Sequence, residues 1–295
     1  MKVGKAHADH RAWTYYWAGQ GKGAGSCLPE LPEVVRQHLL SLWERFFLQL
    51  PPGSRLLDLG TGNGALLALA KACRSDLHLT GVDYAANLPD PGPGITVHPK
   101  TRMEALPFED NSFEAVTGQF AIEYGNLPEV IGEVKRVLVE EGRFLFICHH
   151  AGGIIVRDNG ARLVALRGIL GPGGLLEAAI KAVRKRQKNS PKTRQRLARI
   201  FEASLRTYAG QSVVQEVGGD IARIMTEPQS LQKLLELRRR VEMEKQRIEA
   251  LEKAALPEDR AREVAGLLSL NHQAGLDVVS VPGVELPLAW RIGSD

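Results

Sequence analysis

Short apolar runs alternate along the first half of the chain with longer stretches in which apolar positions recur every three to four residues. That alternation predicts strands and helices in turn, and so an α/β fold with a parallel sheet. Strands are expected at 54–60, 77–83, 95–99, 113–120 and 142–149, with helices at 31–50, 63–74 and 127–139. Near the end the period changes. Leu276-Asp277-Val278-Val279-Ser280-Val281, then Pro282-Gly283, then Leu286 to Ile292 reads as a hairpin. Between the fifth strand and that hairpin the pattern is helical almost throughout, at 163–169, 175–188, 193–208, 213–225, 231–256 and 258–274, punctuated by Pro172, Pro191, Pro228 and Pro257.

The expected organisation is therefore one enlarged α/β domain carrying an insertion. It divides into an N-terminal aromatic helix and glycine-rich loop (1–30), a nucleotide-type core (31–150), a helical insertion (151–257) and a C-terminal helix and hairpin that complete the core (258–295). A connection leaving the carboxyl end of the fifth strand starts at the edge where open α/β sheets bind ligands. The insertion is thus expected to act as a cap, or else as a packing or dimerisation appendage. Within it Leu234, Val241, Ile248 and Ala255 recur every seven residues, with Leu237 and Leu251 beside them and Glu244 interrupting the seam. A helical arm packed on its own domain, or on a second copy in a homodimer, fits this better than a long coiled coil.

Chemistry concentrates in Leu56-Leu57-Asp58-Leu59-Gly60-Thr61-Gly62-Asn63-Gly64, an apolar strand running into three glycines spaced by one. Such glycines let backbone approach a ligand closely, and the following helix offers free N–H groups there. The spacing also satisfies the loose dinucleotide pattern, and Asp83, about 20 residues further on at the end of the second strand, suits the ribose of either kind of cofactor. The downstream stretch Met103-Glu104-Ala105-Leu106-Pro107-Phe108-Glu109-Asp110-Asn111-Ser112-Phe113 decides between them. Together with Asp58 before the glycines, Glu133 to Leu138 and Glu141-Gly142-Arg143-Phe144, it resembles the class I S-adenosylmethionine-dependent methyltransferases, in the small-molecule branch that includes the ubiquinone and menaquinone biosynthesis enzymes.

The resemblance covers 51–150 and 264–295. It implies a Rossmann-like, seven-stranded, mostly parallel sheet with helices on both faces and one antiparallel strand in the terminal hairpin. It implies S-adenosylmethionine as cofactor, with S-adenosylhomocysteine as product. Asp58, Gly60, Thr61, Gly62 and Gly64 would cradle the methionine part, Asp83 and Tyr84 would meet the ribose, Met103 and Glu104 the adenine, and Gln119 and Phe120 the methionyl group. One departure stands out: Arg102 occupies the place where this branch commonly has an acid for the adenine amino group, and arginine has no acceptor. Glu104 or backbone carbonyls would have to serve instead.

Candidates for acceptor chemistry sit at strand ends. His149 and His150 close the fifth strand, where an imidazole suits a general base, although strand alternation sends the two side chains to opposite faces. Glu123 and Tyr124 follow the fourth strand, either lining a pocket or capping the next helix. His272 is expected to be structural. Trp13, Tyr15, Tyr16 and Trp17, ahead of glycines at 19–25, suggest a hinged aromatic helix that covers a flat or apolar acceptor or packs on the sheet.

Charge and cysteine content narrow the setting. With 295 residues and 44% hydrophobic content the chain can bury a large core. The polar opening Met1-Lys2-Val3-Gly4-Lys5 and the lack of an apolar run of about 18 residues predict neither secretion nor a membrane span. Cys27, Cys73 and Cys148 have no metal spacing, so no metal is expected, and a reducing cytoplasm is the expected location. Residues 181–199 carry nine Lys and Arg and no acid, a run suited to an RNA backbone, an anionic substrate tail, or a solvated face neutralised by the Glu-rich 232–259. No aromatics are interleaved to stack bases, and the net charge is a modest +4. The expectation is methyl transfer to a small or medium-sized acceptor under a helical cap. The alternatives are an RNA or tRNA methyltransferase and a catalytically silent, cofactor-binding interaction protein.

Overall fold

The computed structural model describes residues 10–19, 33–269 and 274–294. Cys27, His272 and most of the glycine-rich loop lie outside the described residues. Chain contacts divide the protein into two compact units, Met1–Val156 with Lys253–Asp295, and Arg157–Glu252.

The first unit is built on a seven-stranded sheet: β1 (Arg55–Leu59), β2 (His78–Val82), β3 (Ile95–His98), β4 (Phe113–Gln119), β5 (Leu138–His149), β6 (Ala274–Val279) and β7 (Ala289–Ser294), in the order β3-β2-β1-β4-β5-β7-β6. Pairings among β1 to β5 are parallel, and β7 runs antiparallel between β5 and β6. This is the expected Rossmann-like arrangement. The final pair is joined by a longer connection than a tight hairpin allows, with Gly283 at φ +80° taking the bend that an L side chain resists.

Its helices are α1 (His10–Gly19), α2 (Glu33–Leu48), α3 (Ala65–Cys73), α4 (Leu127–Val137) and α10 (Glu258–Leu268). In α4, Leu127, Val130, Ile131, Val134 and Val137 are buried at helical spacing while Glu129, Glu133, Lys135 and Arg136 take the other face. That stripe shares one core with Leu57, Leu59, Val116, Phe144 and Phe146 from the strands and with Val264 and Leu268 from α10. Each large apolar side chain so enclosed contributes about 1.5–3 kcal/mol. Arg136 ties the turn before β4 to α4. It donates to Glu133 (2.7 Å), Asp110 (2.9 Å), and the carbonyls of Phe108 (2.7 Å) and Leu106 (3.1 Å).

The second unit lies within the region expected to be helical: α5 (Ile154–Leu170), which begins in the first unit, α6 (Leu175–Arg184), α7 (Pro191–Thr207), α8 (Ser212–Thr226) and α9 (Ser230–Ala254). By length and hydropathy alone, 154–184 passes for a membrane crossing; the structure breaks it between α5 and α6, and half of its most apolar 18-residue window is buried. The heptad positions Leu234, Leu237, Val241 and Ile248 are spent on this unit's own core, beside Leu163, Leu166 and Val217. Among the described residues the Glu-rich segment forms no ion pair with the basic run: Glu244 pairs with Arg162 and Glu249 with Arg167, both on α5.

Candidate active site

The glycine loop leaves β1 with Gly60, Gly62 and Gly64 at φ +65°, +56° and +74°, a conformation that side-chain-bearing residues resist. Space is as restrictive as the backbone. A Cβ at Gly60 would stand 2.6 Å from Ala121 Cβ, and one at Gly62 would fall within the Trp17 indole. Backbone bonds fix the loop's shape, with Thr61 N donating to Val82 O (3.0 Å) and Gly64 N to Thr61 O (2.9 Å). Gly64 is the N-cap of α3, and Asn63 Oδ1 accepts from Ala65 N, the first N–H of the helix, at 3.2 Å.

Two carboxylates lie beneath and beside this loop. Asp83, 8% exposed, accepts from Gly62 N (2.9 Å) and Ala85 N (2.8 Å), one oxygen each. Burial raises its pKa against those bonds. Asp58, 2% exposed, accepts from the Thr117 hydroxyl at 3.0 Å, and burial is the main reason its pKa stands at about 6. Thr61 Oγ1, beside it, is buried and has no hydrogen-bond partner of ordinary geometry. A buried acid next to an unsatisfied hydroxyl at the rim of a glycine loop is a local cost, which points to a ligand-binding role.

A cleft with about 820 Å³ of empty space opens over the loop. Gly60, Asp83, Tyr84, Met103, Glu104, Gln119, Phe120 and Tyr124 line it, joined by Trp13, Trp17 and Arg102. Gln119 is held by a residue the sequence did not single out, Trp43, whose Nε1 donates to Gln119 Oε1 at 2.6 Å. Phe120 carries φ +54°, strain in a bulky residue at the end of β4. Glu104 accepts from Asn126 N (3.0 Å) and faces Arg102 Nε at 3.4 Å, beside Met103 on the wall. From α1, Trp13 meets Tyr124 edge-on at 5.5 Å and Thr14 accepts from Ala86 N at 3.1 Å.

Several expected residues lie off this wall. Asp58 is under the loop, Gly62 is covered by Trp17 and Gly64 by Pro91, and Thr61 faces Gly81. Of the four candidates for acceptor chemistry, Tyr124 alone is among the lining residues. His149 lies against Phe120 with the rings tilted 32° and their centroids 4.3 Å apart, and is 2% exposed. Its backbone N and its Nδ1 both lie 2.8 Å from Glu123 Oε1. Glu123 Oε2 is buried without a partner, and burial followed by this neighbouring carboxylate pushes the Cys148 thiol well up. His150 points elsewhere, as alternation requires, and stacks on Trp290 at 4.4 Å. Among the described residues no cluster of His, Cys, Asp and Glu could hold a metal ion.

The donor set suits S-adenosylmethionine. Asp83 offers paired oxygens to a diol, Glu104 an acceptor to an amine, Tyr84, Phe120 and Met103 apolar faces, and Gly60 backbone on the wall. Parallel order, glycine loop and strand-end acids together make a Rossmann-like domain with a nucleotide-type site. Residues 57–146 match the family described as a methyltransferase domain. The particular relatives include the ubiquinone/menaquinone biosynthesis C-methyltransferase of Desulfotalea psychrophila, 34% identical over 111 residues, which are 34% of this chain and 45% of that protein. The demethylmenaquinone methyltransferase of Thermus thermophilus is 32% identical over 101 residues, 32% of this chain and 46% of that one. The chain spans less than half the length of either relative.

Proposed function

We propose that this protein transfers the methyl group of S-adenosylmethionine to a small or medium-sized acceptor at carbon, oxygen or nitrogen. The observation that carries the reading is the convergence of Gly60, Asp83, Met103, Glu104, Gln119 and Phe120 on one cleft above a loop in which three glycines hold positive φ. When bound, the cofactor supplies a methyl group on a positively charged sulfur, ready for in-line displacement.

Asp83 would then accept from the ribose hydroxyls while still bonded to Gly62 N and Ala85 N, since each carboxylate oxygen has two lone pairs. Glu104 would take the adenine amino group. Asp58, Thr61, Gly62 and Gly64 would shape the methionine end from below, with the negative charge of Asp58 complementing a cationic ligand. Gln119, locked by Trp43, and Phe120 would border the reacting end. Trp13, Trp17 and Tyr124 provide an apolar, flat-sided enclosure that excludes water, which suits an apolar or aromatic acceptor. Carbon methylation of a quinone-like ring, as the relatives' names describe, fits that enclosure.

Tyr124 is the candidate for direct contact with the acceptor. Glu123 and His149 are assigned positioning: His149 backs Phe120 and meets Tyr124 edge-on at 5.9 Å, and Glu123 fixes its ring. His150 is assigned to packing.

Calorimetry with S-adenosylhomocysteine tests the donor half of the reading, and a methyl-transfer assay over a panel of quinols, phenols and amines tests the other. Binding to the wild type, lost in Gly62→Arg, is expected together with turnover of at least one acceptor. Absence of binding, or equal binding by Gly62→Arg, refutes the donor assignment. Binding without turnover of any acceptor favours a catalytically silent, cofactor-binding protein.

A further inference from the structure

The helical unit matches its charges carefully on α5, α8 and α9. Arg162 reaches Glu216 (3.0 Å) and Glu244 (2.6 Å), Arg167 reaches Glu249 (2.9 Å), Arg223 and Arg240 converge on Asp220, and Lys233 pairs with Glu227. The run from Lys181 to Arg199, on α6, α7 and the turn between them, is treated differently. Among the described residues none of its nine cations pairs with a carboxylate; Lys188 donates to Glu227 O and Ser230 Oγ instead.

Three of these cations meet. Lys181 on α6, Lys185 at its C-cap and Arg196 on α7 line a single cleft with about 370 Å³ of empty space, floored by Ala178, Ala182 and Leu197. Gln187 and Thr193 add neutral polar groups to the same wall. Lys181 and Lys185 are four residues apart at the end of one helix, a spacing at which like charges repel, and Arg196 brings a third from the opposite side. An anion in the cleft relieves that repulsion.

We propose that this cleft is a phosphate-binding site, separate from methyl transfer, which takes the phosphate group of a soluble phosphate ester or of a phospholipid headgroup. A guanidinium fork grips two phosphate oxygens at once, two ammonium groups add point charges, and the amide and hydroxyl donate to the remaining oxygens. A carboxylate, with one charge and two oxygens, would leave part of that donor set unused. The surrounding cations, Arg184, Arg186, Lys192, Arg194 and Arg199, raise the local positive potential and steer anions inward. The run holds no aromatic side chain to stack bases, which disfavours single-stranded RNA. None of the large exposed hydrophobics lies on α6 or α7, so a lipid would be held by its headgroup and not by insertion of these helices.

The test uses the full chain without methyl donor. Calorimetry with inorganic phosphate and glycerol 3-phosphate reads the soluble source, and cosedimentation with phosphatidylcholine vesicles, with and without phosphatidic acid, reads the lipid source. Saturable, salt-sensitive binding by either probe is expected. Loss of two of the three cations in the Lys185→Gln/Arg196→Gln double variant should weaken it by about tenfold to hundredfold, while Arg206→Gln, outside the cleft, leaves it unchanged. Unfolding curves confirm that the double variant is folded. No saturable binding of either probe, equal binding by the folded double variant, or capture of a duplex RNA while both phosphate probes fail would overturn the proposal. S-adenosylhomocysteine binding in the double variant stays at the wild-type level, so failure here and failure of the methyl-transfer reading are told apart.

Discussion

Replacing Asp58 by asparagine removes a negative charge that the fold holds almost entirely away from water. The carboxyl group titrates at an ordinary 3.8 in the unfolded chain and at about 6 in the folded one, chiefly because burial penalises the charged form. Between those values the folded state binds more protons than the unfolded state. Stability therefore falls as pH rises, and the cost is absent below about pH 4 and complete above about pH 6. The gap of about 2.2 between 6 and 3.8, at 1.36 kcal/mol for each pH unit, gives a penalty of about 3 kcal/mol at neutral pH. Asparagine avoids it: it carries no charge to desolvate, and its carbonyl can still accept from the Thr117 hydroxyl. Urea unfolding of both proteins without ligand, from about pH 4 to about pH 8, checks the argument. Acids common to both proteins, Asp83 included, drop out of the difference to first order. The variant's advantage should grow by about 3 kcal/mol up to about pH 6 and then level off. A difference that stays flat, falls with pH, or leaves the variant less stable at neutral pH refutes the reasoning. If the proposed donor role holds, the same variant binds S-adenosylhomocysteine more weakly than the wild type, trading affinity for stability.

Gly62→Ala forces a side chain into positive φ and against the Trp17 indole; we expect a stability loss of about 1–3 kcal/mol by urea unfolding and weaker S-adenosylhomocysteine binding by calorimetry, and unchanged values in both would count against the loop geometry. Trp17, 6% exposed on the glycine loop, should report cofactor binding through its fluorescence; an undiminished signal in Trp17→Phe would show that it does not. Glu123→Gln keeps an acceptor for His149 N but places an amide in a dry site, at a cost of about 1–3 kcal/mol, and the positioning role predicts a lower kcat at unchanged donor affinity. Phe146→Ala, fully buried in the sheet core, should lower stability by about 3–5 kcal/mol, and a loss below about 1 kcal/mol would contradict the packing described.

The features that were legible in the sequence are those set by near neighbours along the chain. The strand ending in Asp58, the glycines behind it, Asp83 at the next strand end and the apolar stripe of α4 each follow from a local period or a backbone demand. The final hairpin was legible in the pattern, and its place at the end of the sheet through family likeness. Side-chain partnerships across long separations were not. Trp43 reaches Gln119, Glu123 meets His149, and Trp290 covers His150 because of strand order and register, which no local window contains. The heptad of α9 illustrates the opposite limit: period alone suited an arm on its own domain or on a second subunit, and packing spends Leu234, Leu237, Val241 and Ile248 internally.

The sequence by itself determined the sheet and the glycine loop, since backbone conformation and hydrophobic period are written in consecutive residues, and it pointed to the class of donor through family likeness. Tertiary structure decided which polar groups face the cleft. It set Phe120 between His149 and the open space, buried Asp58 beneath the loop and placed Tyr124 and Glu104 on the wall, because burial and direction depend on what the rest of the fold packs against each side chain.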